Sequence, residues 1–321
     1  MRRHPASALR NAIFALGFGV LATVIAACSS MPGNDQGPAP QSFVFPDGGT
    51  AIHYVLDRGP RSSGDARRFL VAVIGGSDCR SMAGWLPAYL DGLDGKAGET
   101  RVVFLQKRFV PHAASGAGAC SEAFTRHDHA SRWIEDHASV IRHLREQAPG
   151  RRLVLLGISE GAEVVPLLAR RLGGVAGVAL LASGAMDPLE AYRLQAARFG
   201  LPTAAITDAA AGRHRPPDPD APVESLGGRS WRYWSEIGSL APTENLLALG
   251  VPVIAAMGTG DDQVPPESLD RLRERFARVD PGRLLTLAFP RAGHDLVDRP
   301  EGRSRLPDFW RAFDAWLARL P

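Results

Sequence analysis

Little in this sequence suits a metal cage or a nucleotide site. Three cysteines occur in 321 residues, and no two have zinc-ligand spacing. No glycine-rich phosphate loop, dinucleotide fingerprint or internal repeat occurs, which argues against nucleotide-binding and repeat architectures. His127, Asp128 and His129 lack the helical i, i+4 pairing of a zincin, so with His137 and His143 they read as solvated loop and helix-face residues. His53 and His112 read as structural, and no metal or organic cofactor is expected. Charge of one sign is also scarce. The 37 basic residues exceed the 34 acidic ones by only three, and Arg2, Arg3 and Arg10 all lie near the N-terminus. Without those three arginines the chain is formally neutral, so a pI near 9.0 gives no reason to expect nucleic acid as a partner.

The one long uncharged apolar run, Ala12 to Ala27, follows a basic start and closes on Ile25-Ala26-Ala27-Cys28. This predicts a signal peptide over 1–27, and its end resembles a bacterial lipobox in which Cys28 becomes the acylated first residue. Ser29 and Ser30 stand where an inner-membrane lipoprotein of Gram-negative bacteria would carry Asp. The resemblance therefore implies an outer-membrane anchor facing the periplasm, with the membrane as a partner through the lipid. Residues 28–41 form a tether of Pro, Gly, Asn, Asp and Gln, and 42–321 form the domain. In an oxidising compartment Cys79 and Cys120 are expected to form a bridge, the other reading being two separate buried thiols.

Along the domain, Ser42 to Phe45 and Ala51 to Leu56 read as strands joined by Pro46-Asp47-Gly48-Gly49. Phe69 to Ile74 and Arg101 to Leu105 are apolar throughout, as in a parallel sheet covered on both faces. Met82 to Leu90 is expected to be helical and Pro111 to His129 a loop. Ser131 to Gln147 is an amphipathic helix, followed by a strand from Leu153, a helix over Glu163 to Leu172 and a strand over Val175 to Leu181. Periodicity then breaks between Gly184 and Leu246. It resumes with strands at Val251 to Met257 and Leu284 to Phe289 and helices at Ser268 to Phe276 and Leu306 to Leu320. The expected class is α/β, a doubly wound and mostly parallel sheet of about eight strands.

The most informative stretch is Val154 to Ala162. Gly157-Ile158-Ser159-Glu160-Gly161 matches G-x-S-x-G between a strand and a helix, where small residues let a hydroxyl stand clear of the sheet on a tight turn. The helix N-terminus then directs free N–H groups and partial positive charge at an oxyanion formed there. A Ser hydroxyl needs a base, and the base needs an orienting carboxylate. Downstream strand ends supply Gly258-Thr259-Gly260-Asp261-Asp262-Gln263-Val264-Pro265 and Ala292-Gly293-His294.

The order Ser159, Asp261, His294 resembles the α/β-hydrolase superfamily over nearly all of the domain. The resemblance implies Ser159 as nucleophile, His294 as general base and Asp261 as acid, with the adjacent Asp262 as the alternative. It implies an oxyanion hole from the backbone N–H of Glu160 and that of Ser77 or Gly76, and a cap insertion over 184–246. Trp231, Tyr233 and Trp234 read equally as core aromatics or as acyl-pocket residues, Trp234 being the candidate substrate contact. The implied activity is a serine hydrolase acting on a small carboxylic ester or thioester, or on a peptidyl substrate with the same triad. A non-catalytic periplasmic binding lipoprotein is the reading from another class.

Overall fold

The computed structural model describes residues 38–59, 68–112 and 120–321. The expected signal peptide, Cys28 and all but the last four residues of the expected tether lie outside the described residues. The elements are, in chain order, β1 (Gln41–Val44), β2 (Thr50–Arg58), β3 (Arg68–Ile74), β4 (Glu99–Leu105), α1 (Glu122–His127), α2 (Ala130–Gln147), β5 (Arg152–Ile158), α3 (Gly161–Leu172) and β6 (Val175–Leu181). They continue with α4 (Pro188–Phe199), α5 (Ala204–Ala210), α6 (Trp231–Ile237), α7 (Pro242–Leu249), β7 (Val253–Gly258), α8 (Glu267–Val279), β8 (Leu284–Phe289) and α9 (Leu306–Leu317).

Eight strands form one sheet in the order β1-β2-β4-β3-β5-β6-β7-β8. The first two run antiparallel to their neighbours, and every pairing from β4 to β8 is parallel. The expected class and strand count are therefore borne out. Continuous apolar runs arise because the central strands are covered on both faces. Along β3, Leu70, Ala72 and Ile74 join a core with Ile141 of α2, Val165 of α3 and Leu272 of α8. The alternate residues Phe69, Val71 and Val73 join the opposite core with Phe309, Trp310 and Phe313 of α9. Period-two alternation thus feeds two cores from one strand.

Three local expectations need correction. Met82 to Leu90 is not one helix but two short 3₁₀ turns, Met82–Trp85 and Ala88–Leu90. Pro87 lies between them, and a proline has no N–H to carry a helix through. The loop expected over Pro111 to His129 contains α1, whose cap Ser121 accepts a hydrogen bond from the Phe124 N–H. His129 and His137 are buried rather than solvated, whereas His143 is exposed as expected. The segment 182–252 between β6 and β7 carries α4 to α7. It packs on α2 and α3 through Tyr233, Ile237 and Leu240, and on itself through Ile206, Ala209 and Leu226.

Candidate active site

β5 ends in a turn that the sequence makes narrow. Ser159 has φ +55°, a left-handed conformation that costs a non-glycine residue roughly 1–2 kcal/mol. Two backbone hydrogen bonds hold it there: the Ser159 N–H donates to the Leu181 carbonyl at 2.8 Å, and the Ala162 N–H donates to the Ser159 carbonyl at 2.9 Å. Gly161 is required because a Cβ there would lie 2.4 Å from the Ile74 carbonyl oxygen. The helix therefore starts against the end of β3, and the hydroxyl projects beyond the sheet.

The loops after β7 and β8 meet the turn. A Cβ on Gly258 would lie 2.1 Å from the Ala292 carbonyl oxygen, so the close approach of these loops needs glycine. They are laced together by the Gly260 N–H donating to Ala292 O at 2.9 Å and the Arg291 N–H donating to Thr259 Oγ1 at 3.0 Å. His294 Nε2 thereby sits 3.0 Å from Ser159 Oγ, and His294 Nδ1 sits 2.8 Å from Asp261 Oδ2. The Asp261 carboxylate is fully buried, and its Oδ1 accepts from the Gln263 and Val264 N–H groups, each at 2.8 Å. These three donors fix the orientation of the carboxylate. Asp262, the sequence alternative, is exposed and is not the residue that meets the imidazole.

The expected oxyanion donors lie on the two segments next to the hydroxyl, the start of α3 and the loop after β3. Glu160 follows Ser159 at the start of α3, and among the described residues neither the Glu160 nor the Ser77 N–H donates a hydrogen bond. On the loop after β3, the Gly76 Cα carries no side chain, and a Cβ there would lie 3.2 Å from Ser159 Cβ. The expected bridge is present: Cys79 on that loop is disulfide-bonded to Cys120, just before α1.

Trp234 is held elsewhere. Its indole N–H donates to the Leu226 carbonyl at 3.0 Å, its ring packs on Tyr192 and Tyr233, and it lies against both the segment's own core and the cluster shared with α2 and α3. One residue of that segment reaching the site is Tyr233, whose hydroxyl donates to the Glu160 carboxylate. Lys107, Asp128 and Arg229 also converge there and were not among the expected site residues. The only advance signal among the three is for Lys107, in the charged Lys107-Arg108 pair one residue beyond an apolar strand. Among the other histidines, His112 Nδ1 is 3.0 Å from Tyr54 Oη, and His129 Nδ1 is 3.0 Å from Ser131 Oγ and 3.2 Å from Glu236 Oε2.

No protein-family model matches the sequence, and no curated protein matches it. Solved structures do match in shape. Est1E from Butyrivibrio proteoclasticus is 14% identical, with 88% of this chain and 99% of that one covered at a TM-score of 0.57. The esterase domain of a Rhodothermus marinus protein is 16% identical over 88% of this chain and 98% of its own, at 0.54. An acylaminoacyl peptidase from Pyrococcus horikoshii is 10% identical over 89% of this chain and 42% of its own, at 0.56. With the strand order and the turn at Ser159, these likenesses establish that the chain has the α/β-hydrolase fold.

Proposed function

We propose that the protein is a serine hydrolase that cleaves a carboxylic ester or thioester. The observation that carries this reading is the unbroken relay from Ser159 Oγ through His294 to buried Asp261. In the first half-reaction Oγ attacks the carbonyl carbon and its proton passes to His294 Nε2. Asp261 holds the ring with Nδ1–H toward itself, leaving Nε2 free to accept. The tetrahedral oxyanion receives hydrogen bonds from the Glu160 and Ser77 N–H groups. On collapse the bond to the leaving group breaks, and His294 returns the proton to that group. Water then repeats the sequence on the acyl-enzyme, releasing the acid and restoring the Ser159 hydroxyl. The 182–252 segment acts as the cap that selects the substrate, and no step needs a cofactor.

A fluorophosphonate probe should label the wild-type protein and leave Ser159→Ala unlabelled. An unreactive wild type would favour a non-catalytic binding protein. Serine peptidase activity is the second reading, supported by the likeness to an acylaminoacyl peptidase, and comparing p-nitrophenyl esters with aminoacyl anilides separates the two. We further propose export, cleavage before Cys28 and acylation there, with the domain held at the outer membrane and facing the periplasm. Metabolic labelling with an alkyne fatty acid should mark the wild type and not Cys28→Ser. Fractionation of labelled cells should find the protein with the outer membrane, and recovery with the inner membrane would remove that assignment.

A further inference from the structure

A chain of paired charges, partly exposed at one end and buried at the other, runs to the residue after Ser159, and the relay does not use it. It starts at the Ser77 carbonyl, which accepts from Arg229 Nη2, while Arg229 Nη1 binds Asp128 Oδ2. Asp128 Oδ1 lies 2.9 Å from Lys107 Nζ, and Lys107 Nζ donates in turn to Glu160 Oε2 at 3.2 Å. Glu160 Oε1 accepts from the Tyr233 hydroxyl. The Asp128, Lys107 and Glu160 side chains are 0%, 7% and 7% exposed, so these interactions are poorly screened. Trp133 lies under the ammonium, whose nitrogen is 3.3 Å from the ring centroid, and Tyr233 lies 4.6 Å from the Arg229 guanidinium. Charges alternate cation, anion, cation, anion, which makes burial of Asp128, Lys107 and Glu160 tolerable, while Arg229 is partly exposed at 21%.

The two ends of this chain are the two residues expected to supply the oxyanion N–H groups: Glu160 follows Ser159 in the chain, and Ser77 follows Gly76, where a Cβ would lie 3.2 Å from Ser159 Cβ. They come from separate elements, the loop after β3 and the start of α3, and no backbone hydrogen bond joins them among the described residues. Resting on the serine-hydrolase reading, we propose that Arg229 is a positioning residue for the oxyanion site. By gripping the Ser77 carbonyl at one end of an ion chain whose other end is the Glu160 side chain, it fixes both backbone donors. Residues 182–252 thereby complete the site as well as covering it. Holding the carbonyl anchors the Ser77–Asp78 peptide, which restrains Ser77 and with it the direction of its N–H. The guanidinium fork suits the task because it spans a carbonyl and a carboxylate at once, which a single ammonium cannot do.

The test compares Arg229→Met, Arg229→Lys and Arg126→Met with the wild type. Arg126 pairs with Asp218 and so also ties α1 to the 182–252 segment, but outside this chain of charges. With p-nitrophenyl acetate, Arg229→Met is expected to lower kcat on the order of 100-fold with KM changed less than threefold, as for loss of one oxyanion donor. Arg229→Lys should recover part of that loss, and Arg126→Met should keep wild-type kcat. Inhibition by phenylboronic acid, whose serine adduct puts an oxygen in the oxyanion site, should weaken in step with kcat. Should Arg229→Met not fold, Arg229→Lys carries the test by the same two readouts. Wild-type kcat and boronate affinity in the folded Arg229 variants would overturn the proposal, as would an equal loss in Arg126→Met. A wild type inert to both ester and fluorophosphonate would instead overturn the hydrolase reading beneath it.

Discussion

Asp261 touches no substrate, yet its chemistry decides which nitrogen of His294 carries a proton. Its Oδ2 takes the Nδ1–H while Oδ1 is occupied by two backbone N–H groups. In Asp261→Asn the oxygen would keep those two backbone donors and turn the amide NH₂ toward Nδ1. The imidazole would then hold its proton on Nε2 and could not accept one from Ser159. Ester turnover is expected to fall on the order of 10⁴-fold with little change in KM, measured on p-nitrophenyl esters. A second prediction concerns Lys107. Burial pushes its ammonium down to about 8, against the pull of Glu160 and Asp78 and with the help of Arg229. Asp128 also faces it, and His137, pushed down by burial to about 3, stays neutral throughout. Burial raises the Tyr233 phenol well above its usual value, so it remains a donor. Activity should therefore fall as pH rises through about 8, when Glu160 loses its cation. Stability should move the other way. The unfolded chain keeps the lysine proton up to its ordinary value near 10.5 and the folded chain releases it near 8, so stability rises across that window. The rise is on the order of 3 kcal/mol, read by urea denaturation at the two ends of the window, and Lys107→Met should abolish both trends.

Close approach governs the elements around the site. The loops after β7 and β8 touch at Gly258, where a Cβ would meet Ala292 O at 2.1 Å. Gly258→Ala is expected to destabilise the fold by about 3 kcal/mol and to displace His294. Melting temperature and ester turnover should fall together. Gly84, with open space around it, is the control, and Gly84→Ala should stay within about 0.5 kcal/mol of wild type. Most elements were legible because the signals that set them are local. Apolar runs marked β3 to β8, caps and stripes marked α2, α3 and α9, and G-x-S-x-G marked the turn at Ser159. The short elements were less legible. Met82 to Leu90 looked helical by composition although Pro87 divides it, and α1, α5 and α6 span less than two turns each, too few to show a 3.6-residue period.

At the scale of the molecule, the sheet brings three strand ends to one edge, and the 182–252 segment meets them through Tyr233 and Arg229. The Cys79–Cys120 bridge holds the loop after β3 from the other side, closing a sequence separation of 41 residues. In the chain-entropy view such a closure contributes up to about 4 kcal/mol. The double variant Cys79→Ala/Cys120→Ala should lose stability of that order in chemical denaturation. Thiol titration of the denatured, unreduced protein should find none free, or one if Cys28 is unacylated, and a second free thiol would refute the bridge. Among the described residues no helix is long and apolar enough to cross a membrane.

Sequence alone determined the fold class, the hydroxyl and imidazole of the relay, Ser159 and His294, and an acid narrowed to Asp261 or Asp262. Each stands at the end of an apolar strand in a turn of recognisable residues, so its identity is encoded within a few positions of backbone. Tertiary structure alone decided that Asp261 rather than Asp262 meets the imidazole, that Trp234 packs between two small clusters, and that Lys107, Asp128, Tyr233 and Arg229 gather around Glu160 and Ser77. Those contacts join residues 21 to 152 positions apart. Helical and strand periodicities reach only a few residues along the chain, so they carry no trace of an ion pair made across it.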